Sequence, residues 1–203
     1  MKPEQSKPPE SRPEAAGPEI IQERTVTPAP HTVWLALGSN LGDRLSYLLE
    51  GIRCLGAGGR KKGLELTALS GIYETEPVGY LDQPRFYNMT VKGVTELTPF
   101  EVLELCQKAE EQARRLRLIR WGPRTLDVDV LLYDELRLGT QKLILPHPRM
   151  GERAFVLLPL AEMDPRALEK WGFPFPDGEN QGIRLKFSAA DVNILLTKKP
   201  EEQ

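Results

Sequence analysis

This sequence contains few cysteines and few histidines, and its net charge is small. Its 203 residues include two cysteines and two histidines, and the formal net charge is −2. So few cysteines argue against a disulfide scaffold, and no set of Cys and His has the spacing of a zinc site. The charge gives no general basic field for nucleic acid or membranes, so an anion site requires local clustering of arginines.

Long apolar runs and several nucleotide-binding signatures are also missing. No stretch approaches the roughly 20 apolar residues that a membrane span needs. The N-terminus carries no apolar signal core. Cys54 and Cys106 each lie in a helix-like stretch, so we interpret them as reduced thiols of the core, which predicts a cytoplasmic protein. The missing apolar runs and the small net charge predict that the protein does not contact membranes or nucleic acid. The absence of Gly-x-x-x-x-Gly-Lys-Ser/Thr and of protein-kinase motifs excludes those two nucleotide-binding classes.

The composition divides the chain into three parts. Residues 1–30 interleave proline with polar and charged residues, and such a segment cannot bury enough apolar surface to offset the entropy of ordering. We therefore predict a disordered, proline-rich tail over residues 1–30. A single folded domain is expected over residues 31–178, and residues 179–203 form a C-terminal extension that the sequence does not assign to any element.

The hydrophobic pattern of the domain predicts an α+β fold. Its segments are, in order, a strand over 32–37, a helix beginning near Asp43, strands over 66–73 and 86–94, a helix over about 99–115 and a strand over 125–133. This order is that of the ferredoxin-like βαββαβ core, an antiparallel sheet with helices on one face. A C-terminal hairpin over 136–144 and a helix over 153–162 follow it.

Two aspartates on the last core strand are the first candidates for chemistry. Side chains alternate along a strand, so Asp127 and Asp129 share one face. Two carboxylates this close repel each other, and a divalent cation would relieve that repulsion. Mg²⁺ prefers oxygen ligands and often takes one or two carboxylates together with substrate phosphates. An exposed edge strand with two solvated aspartates is the alternative.

An arginine-rich segment leads directly into these aspartates. Residues 114–124 contain five arginines and one tryptophan, Trp121. Arginine suits multidentate contacts with phosphate, although runs of charge are more often solvated surface. Cations beside a carboxylate pair indicate a metal–polyphosphate site. Trp121 either stacks on a ring of the substrate or fixes the loop by apolar contacts.

Other residues suit a flat organic substrate or an additional phosphate contact. Thr75, Val78, Phe86 and Asn88 flank one loop and the strand that follows it. Asn can recognise the amide-like edge of a heterocycle, and aromatic rings can sandwich it. His147 lies between two prolines, and its side chain either donates to a phosphate oxygen or makes a structural hydrogen bond.

A metal–polyphosphate site beside a site for a flat organic substrate indicates a kinase, and two other functions are the alternatives. An RNA-binding module on a similar fold would need stacking aromatics on its central strands and a basic surface. The net charge of −2 and the two strand aspartates argue against it. A nucleotidyltransferase with Asp-x-Asp would place Gly-Ser close before the aspartates, whereas Ser39 lies far upstream.

Five segments in fixed order carry a resemblance to a known family. They are 36–43 (ALGSNLGD), 73–79 (YETEPVG), 83–88 (QPRFYN), 121–129 (WGPRTLDVD) and 145–150 (LPHPRM). Together they resemble the 6-hydroxymethyl-7,8-dihydropterin pyrophosphokinases of folate synthesis, over about residues 32–165. The resemblance implies a ferredoxin-like fold, ATP as co-substrate and two Mg²⁺ ions. It also implies transfer of pyrophosphate to the pterin, with AMP as the second product, and no partners beyond these small molecules. We expect a monomer.

The resemblance also implies roles for individual residues. Both metals would be held by Asp127 and Asp129, and catalysis would involve these two together with Arg115 and Arg124. The residues implied around ATP are Gln107, Glu110, Arg115, Arg117, Arg120, Trp121, Arg124, Val130, His147 and Arg153. Those implied around the pterin are Thr75, Glu76, Val78, Phe86, Asn88, Trp121, Asp127 and Phe155. The arginine loop and the loop over 75–84 are expected to close over the substrates and exclude water.

Overall fold

The structure, a computed structural model, describes residues 30–79, 81–113, 122–176 and 182–198. The predicted tail therefore lies, except for Pro30, outside the described residues, and so does most of the arginine loop. Within the described ranges no helix is long and apolar enough to cross a membrane.

One antiparallel sheet forms the centre of the molecule. Its strands are β1 (His31–Ser39), β2 (Glu65–Leu69), β3 (Ile72–Thr75), β4 (Phe86–Thr95), β5 (Asp127–Tyr133) and β8 (Arg184–Phe187). Their order is β5-β1-β4-β3-β8, and β2 also pairs with β4. Helical segments lie between β1 and β2 and between β4 and β5, and this order confirms the predicted ferredoxin-like α+β fold. The predicted hairpin is present as β6 (Leu138–Gly139) and β7 (Ile144–Leu145).

Helices cover both faces of this sheet. They are α1 (Arg44–Gly56), α2 (Gly59–Lys62), α3 (Pro99–Gln112), α4 (Ala154–Met163), α5 (Pro165–Trp171) and α6 (Ala189–Thr197). A 3-10 turn, Met150–Glu152, precedes α4. The two core helices begin at side-chain caps: Asp43 accepts from the Ser46 backbone N–H at 3.1 Å, and Thr98 forms a capping box with Glu101.

The alternation of β1 explains why two apolar clusters exist. Val33, Leu35 and Leu37 belong to the larger cluster, which includes buried residues of α1 and α3. Trp34 and Ala36 point the other way and pack against the cluster formed with α4 and α5. The two core helices thus cover one face, as predicted, while α4 and α5 cover the face that also carries the candidate site.

The edge of the sheet differs from the prediction in one respect. The single strand expected over 66–73 is two strands, β2 and β3, interrupted at Ser70 and Gly71. The Ser70 hydroxyl donates to the Gly71 carbonyl and accepts from the Thr90 N–H, so it replaces regular strand pairing there. A Cβ at Gly71 would lie 2.6 Å from a methyl group of Leu185, so β8 approaches closely only because this residue is glycine.

Candidate functional site

The strand register brings the candidate residues into one row across the sheet. Asn88 of β4 lies opposite Gly38 of β1, and Gly38 lies opposite Asp127 of β5. Neighbouring strands are about 4.8 Å apart, so Asn88 and Asp127 are separated by about 10 Å on one face. A Cβ at Gly38 would approach the Asn88 side-chain oxygen to 2.9 Å, which explains the glycine between them.

A cavity of about 370 Å³ lies over this row, between the sheet and the start of α4. This volume falls in the range of small-molecule sites, roughly 300–1,000 Å³. Its described lining includes residues from β1, β3, β4, β5, the loop over 75–85 and α4. They are Ala36, Leu37, Gly38, Thr75, Glu76, Val78, Gly79, Gln83, Phe86, Asn88, Met89, Arg124, Asp127, Asp129, Arg149, Glu152, Arg153, Ala154, Phe155 and Val156.

One end of the cavity suits a flat, amide-bearing ring. The Asn88 side-chain amide donates to the Thr75 hydroxyl at 2.7 Å, and both residues are buried. Phe86 on β4 and Phe155 on α4 line the same space. The structure therefore brings together every residue predicted for the pterin except Trp121, which lies outside the described residues. Val78 is an exposed member of this set.

The other end contains the two aspartates, each in contact with an arginine. Arg124 donates a hydrogen bond to Asp127, three residues along the chain. Arg153, which precedes α4, donates to Asp129 at 3.1 Å. The mutual repulsion expected from the sequence is thus offset by two guanidinium groups. Both arginines and both aspartates line the cavity, so this end is rich in groups that bind phosphate or a cation.

His147 lies close to this end without lining the cavity. Its Nε2 is 3.9 Å from an Asp129 carboxylate oxygen, and its Nδ1 accepts from the Arg149 N–H at 3.3 Å. Burial lowers the pKa of His147, and the positive charges of Arg153 and Arg149 act in the same direction, while Asp129 opposes them. The imidazole is therefore biased toward its neutral form.

The remaining residues predicted for ATP are placed differently or lie outside the description. Glu110 is buried behind β5, where its carboxylate accepts from the Val128 N–H at 2.9 Å, between the two aspartates. Val130 is buried in the larger cluster, and Gln107 is exposed on α3. Arg115, Arg117 and Arg120 belong to residues 114–121, outside the described ranges. The predicted contacts of all these residues with ATP stay predictions.

Some polar residues of the site were not among the candidates. Arg149 and Glu152 line the cavity; Arg149 belongs to the segment 145–150, whereas no local pattern in the sequence indicates Glu152. Asn40 is buried and joins two segments of the site. Its side chain donates to Gln83 and to the Pro84 carbonyl, both at 3.0 Å, and accepts from the Arg124 N–H at 2.8 Å. Its position within the segment 36–43, directly after β1, was the available signal.

Comparison with known proteins identifies the family of this chain. The family described as 7,8-dihydro-6-hydroxymethylpterin-pyrophosphokinase (HPPK) matches residues 34–165. The chain is 51% identical over 130 residues to the 2-amino-4-hydroxy-6-hydroxymethyldihydropteridine pyrophosphokinase of Bacillus subtilis, covering 64% of this chain and 76% of that one. A protein of the same name from Methylorubrum extorquens is 44% identical over 132 residues, covering 65% and 82% of the two chains.

Several relatives are longer proteins that contain a second activity. A mitochondrial folate synthesis bifunctional protein of Arabidopsis thaliana is 44% identical over 133 residues, which is 66% of this chain but only 23% of that protein. Among solved structures, an HPPK-DHPS of Plasmodium falciparum with SDX-DHP has a TM-score of 0.56 at 14% identity, covering 78% of this chain and 45% of that one. That likeness supports the fold. The chain belongs to the 7,8-dihydro-6-hydroxymethylpterin-pyrophosphokinase family and is an enzyme of the pyrophosphokinase step in folate biosynthesis.

Proposed function

We propose that the cavity holds both substrates of this reaction side by side. The pterin ring of 6-hydroxymethyl-7,8-dihydropterin lies at the end formed by Thr75, Asn88, Phe86 and Phe155. The phosphates of ATP lie at the end formed by the aspartates and their arginines. The observation that carries this proposal is the single row Asn88–Gly38–Asp127, which joins a ring-binding end and a phosphate-binding end within one cavity.

Asp127 and Asp129 fit the ligand set of Mg²⁺. They offer carboxylate oxygens on one face of a rigid strand, beside cationic groups that suit phosphate. Among the described residues no cluster of three or more His, Cys, Asp or Glu side chains forms a metal site, so water and phosphate oxygens would complete the coordination. When bound, two Mg²⁺ ions would neutralise charge on the phosphates and orient them for in-line displacement.

The side chains of this enzyme act mainly by positioning. Thr75 and Asn88 orient the pterin so that its hydroxymethyl oxygen faces the β-phosphorus of ATP. Arg124 and Arg153 turn from the aspartates to phosphate oxygens and stabilise the charge that develops during transfer. The pterin hydroxyl oxygen attacks the β-phosphorus and releases its proton to solvent, the bond from the β-phosphorus to the AMP oxygen breaks, and AMP leaves. Holding both substrates in this geometry accounts for much of the rate enhancement.

The arginine-rich segment and the remaining expectations extend this proposal. Arg115, Arg117 and Arg120, supported by the basic composition of residues 114–124, would contribute further phosphate contacts, and Trp121 would stack on a substrate ring.

We propose that the enzyme acts as a monomer in the cytoplasm. The free thiols of Cys54 and Cys106 are consistent with a reducing compartment. Light scattering of the purified protein tests the monomer.

Product analysis tests the proposed function. We expect AMP to accumulate from ATP only when the pterin and Mg²⁺ are both present, with one pterin diphosphate formed per AMP. Each omission, of pterin or of Mg²⁺, should reduce AMP to background. Formation of ADP, or of AMP without pterin, would show that the cavity performs a different transfer.

A further inference from the structure

An ionic cluster lies directly behind the wall of the cavity. Glu74, on β3, is contacted by cations from three separate segments. Arg44 at the start of α1 donates to Glu74 at 3.2 Å, Lys186 of β8 lies at 3.1 Å, and Arg85, just before β4, lies at 3.8 Å. We call Glu74, Arg44, Arg85 and Lys186 the Glu74 cluster. The Glu74 side chain is only 12% exposed, so water screens these contacts weakly.

The cluster has further anchors that fix its geometry. The guanidinium of Arg44 lies 3.7 Å from the centre of the Tyr87 ring and donates to the Arg85 carbonyl at 2.9 Å. Tyr87 is the strand partner of Glu74. Burial would raise the pKa of Glu74, but hydrogen bonds from Lys186 and Arg44 outweigh it and hold that pKa below its usual value. The carboxylate is thus stabilised in its ionised form.

The position of Glu74 in β3 connects this cluster with the cavity. Strand β3 has four residues, and three of them pair with β4: Tyr73 with Asn88, Glu74 with Tyr87, and Thr75 with Phe86. Because side chains alternate, Glu74 and Tyr87 point away from the face that carries Thr75 and Asn88. The strand ends at Thr75, where the chain enters the loop over the cavity. Fraying of so short a strand would separate the Thr75 hydroxyl from the Asn88 amide.

We propose that Glu74 is a positioning residue for the pterin. Its contacts with α1, with the segment before β4 and with β8 hold the end of β3 on β4, and so they keep the pair formed by Thr75 and Asn88 in register. The C-terminal strand thereby contributes to substrate binding through Lys186 without reaching the cavity. Asp127 and Asp129 are on β5, at the opposite edge of the sheet order, so the effect is selective for the pterin. This inference rests on the proposed pterin end of the cavity.

The substitution Glu74→Gln tests the proposal because it removes the charge and keeps the shape. We expect the KM for 6-hydroxymethyl-7,8-dihydropterin to rise about tenfold, the size expected for losing charge-assisted hydrogen bonds, while the KM for ATP changes less than about twofold. The matched control is Glu65→Gln on β2 of the same sheet, which breaks a 2.7 Å ion pair with Arg60 of α2. This control should change neither KM. An unchanged pterin KM in Glu74→Gln, or equal rises for both substrates, would overturn the proposal.

Two further variants separate the possible outcomes. Asn88→Ala should raise the pterin KM because it removes a direct contact. If Asn88→Ala raises it and Glu74→Gln does not, the positioning role is wrong and the pocket assignment stands; if neither raises it, the pocket assignment is wrong. Should Glu74→Gln fail to fold by circular dichroism, Lys186→Met decides the matter. We expect Lys186→Met to raise the KM for the pterin and not the KM for ATP, whereas Lys186→Arg, which keeps the positive charge, should have the wild-type pterin KM. An unchanged pterin KM in Lys186→Met would reject the proposal.

Discussion

At the scale of single residues, the two aspartates of β5 differ from ordinary surface carboxylates. Both face the cavity, and both accept a hydrogen bond from an arginine that lines it. The sequence predicted their shared face because alternation along a strand is a local rule. It did not predict the partner of Asp129, since Arg153 reaches Asp129 across 24 residues of chain.

We expect Asp127→Ala and Asp129→Ala each to reduce Mg²⁺-dependent AMP formation by at least about a hundredfold, because each removes a proposed metal ligand. The fold should persist, since both side chains are partly exposed and removing one leaves its arginine access to water. Turnover and thermal melting of both variants check this. Glu135→Ala, at an exposed site, is the control. Near-wild-type turnover in either aspartate variant would rule out the metal assignment.

Arg124 offers a second test at this scale. Its guanidinium contacts Asp127, and its backbone is held by Asn40, so it is positioned where phosphates would meet the metal. We expect Arg124→Ala to reduce turnover about a hundredfold, equivalent to ~3 kcal/mol of transition-state stabilisation, with a smaller loss of ATP affinity. Steady-state kinetics and direct ATP titration measure the two effects, with Arg60→Ala as a control outside the cavity. A collapse of ATP affinity with unchanged turnover at saturation would show that Arg124 binds only the ground state.

At the scale of elements, the core strands and helices were predictable, whereas β8 and α6 of the C-terminal extension were not predicted. Strand β1 and helix α3 carry clear apolar periodicity and, for α3, a capping box and an initial proline. Strand β8 has four residues, three of them exposed, and its alternation of Arg, Leu, Lys and Phe is too short to predict a strand. Helix α6 did carry a signal, the Ser188–Asp191 capping box. The division into β2 and β3 was not predicted because it depends on the Ser70 hydroxyl, which donates to the Gly71 carbonyl and accepts from the Thr90 N–H of the neighbouring strand.

The packing of α6 predicts a specific stability loss. Val192 is fully buried in the larger apolar cluster, whereas Ile194 on the same helix is 57% exposed. We expect Val192→Ala to lower the free energy of unfolding by about 2 kcal/mol, because it removes two buried methyl groups and leaves a void. Ile194→Ala should change it by less than about 0.5 kcal/mol. Urea denaturation of both variants measures these values. Equal losses would mean that α6 does not pack as described.

At the scale of the whole molecule, the two ends of the chain have opposite expected roles. Residues 1–30 are rich in proline and polar side chains, and we propose that they are dispensable. Residues 184–198 contribute an edge strand, the buried Val192 and the carbonyls of Leu195 and Lys198, both of which accept from Arg53. The domain boundary placed near residue 178 thus separates elements that pack together.

We expect deletion of residues 1–30 to leave the melting temperature and turnover unchanged. Deletion of residues 183–203 should lower the free energy of unfolding by at least about 3 kcal/mol, because it removes Val192 from the core and exposes the edge of β3. Thermal and chemical denaturation of the two truncated proteins provide the comparison. A large stability loss on removing residues 1–30, or none on removing the C-terminal elements, would contradict these roles.

One measurement tests the shared cavity most directly: a crystal structure with the pterin, Mg²⁺ and α,β-methylene ATP, whose α–β bridge cannot be cleaved. We predict that the pterin ring lies between Phe86 and Phe155 beside Asn88, and that Mg²⁺ joins Asp127 and Asp129 to the phosphates. The hydroxymethyl oxygen should face the β-phosphorus. A pterin bound outside this cavity, or phosphates bound without Mg²⁺ on the β5 aspartates, would contradict the proposed site.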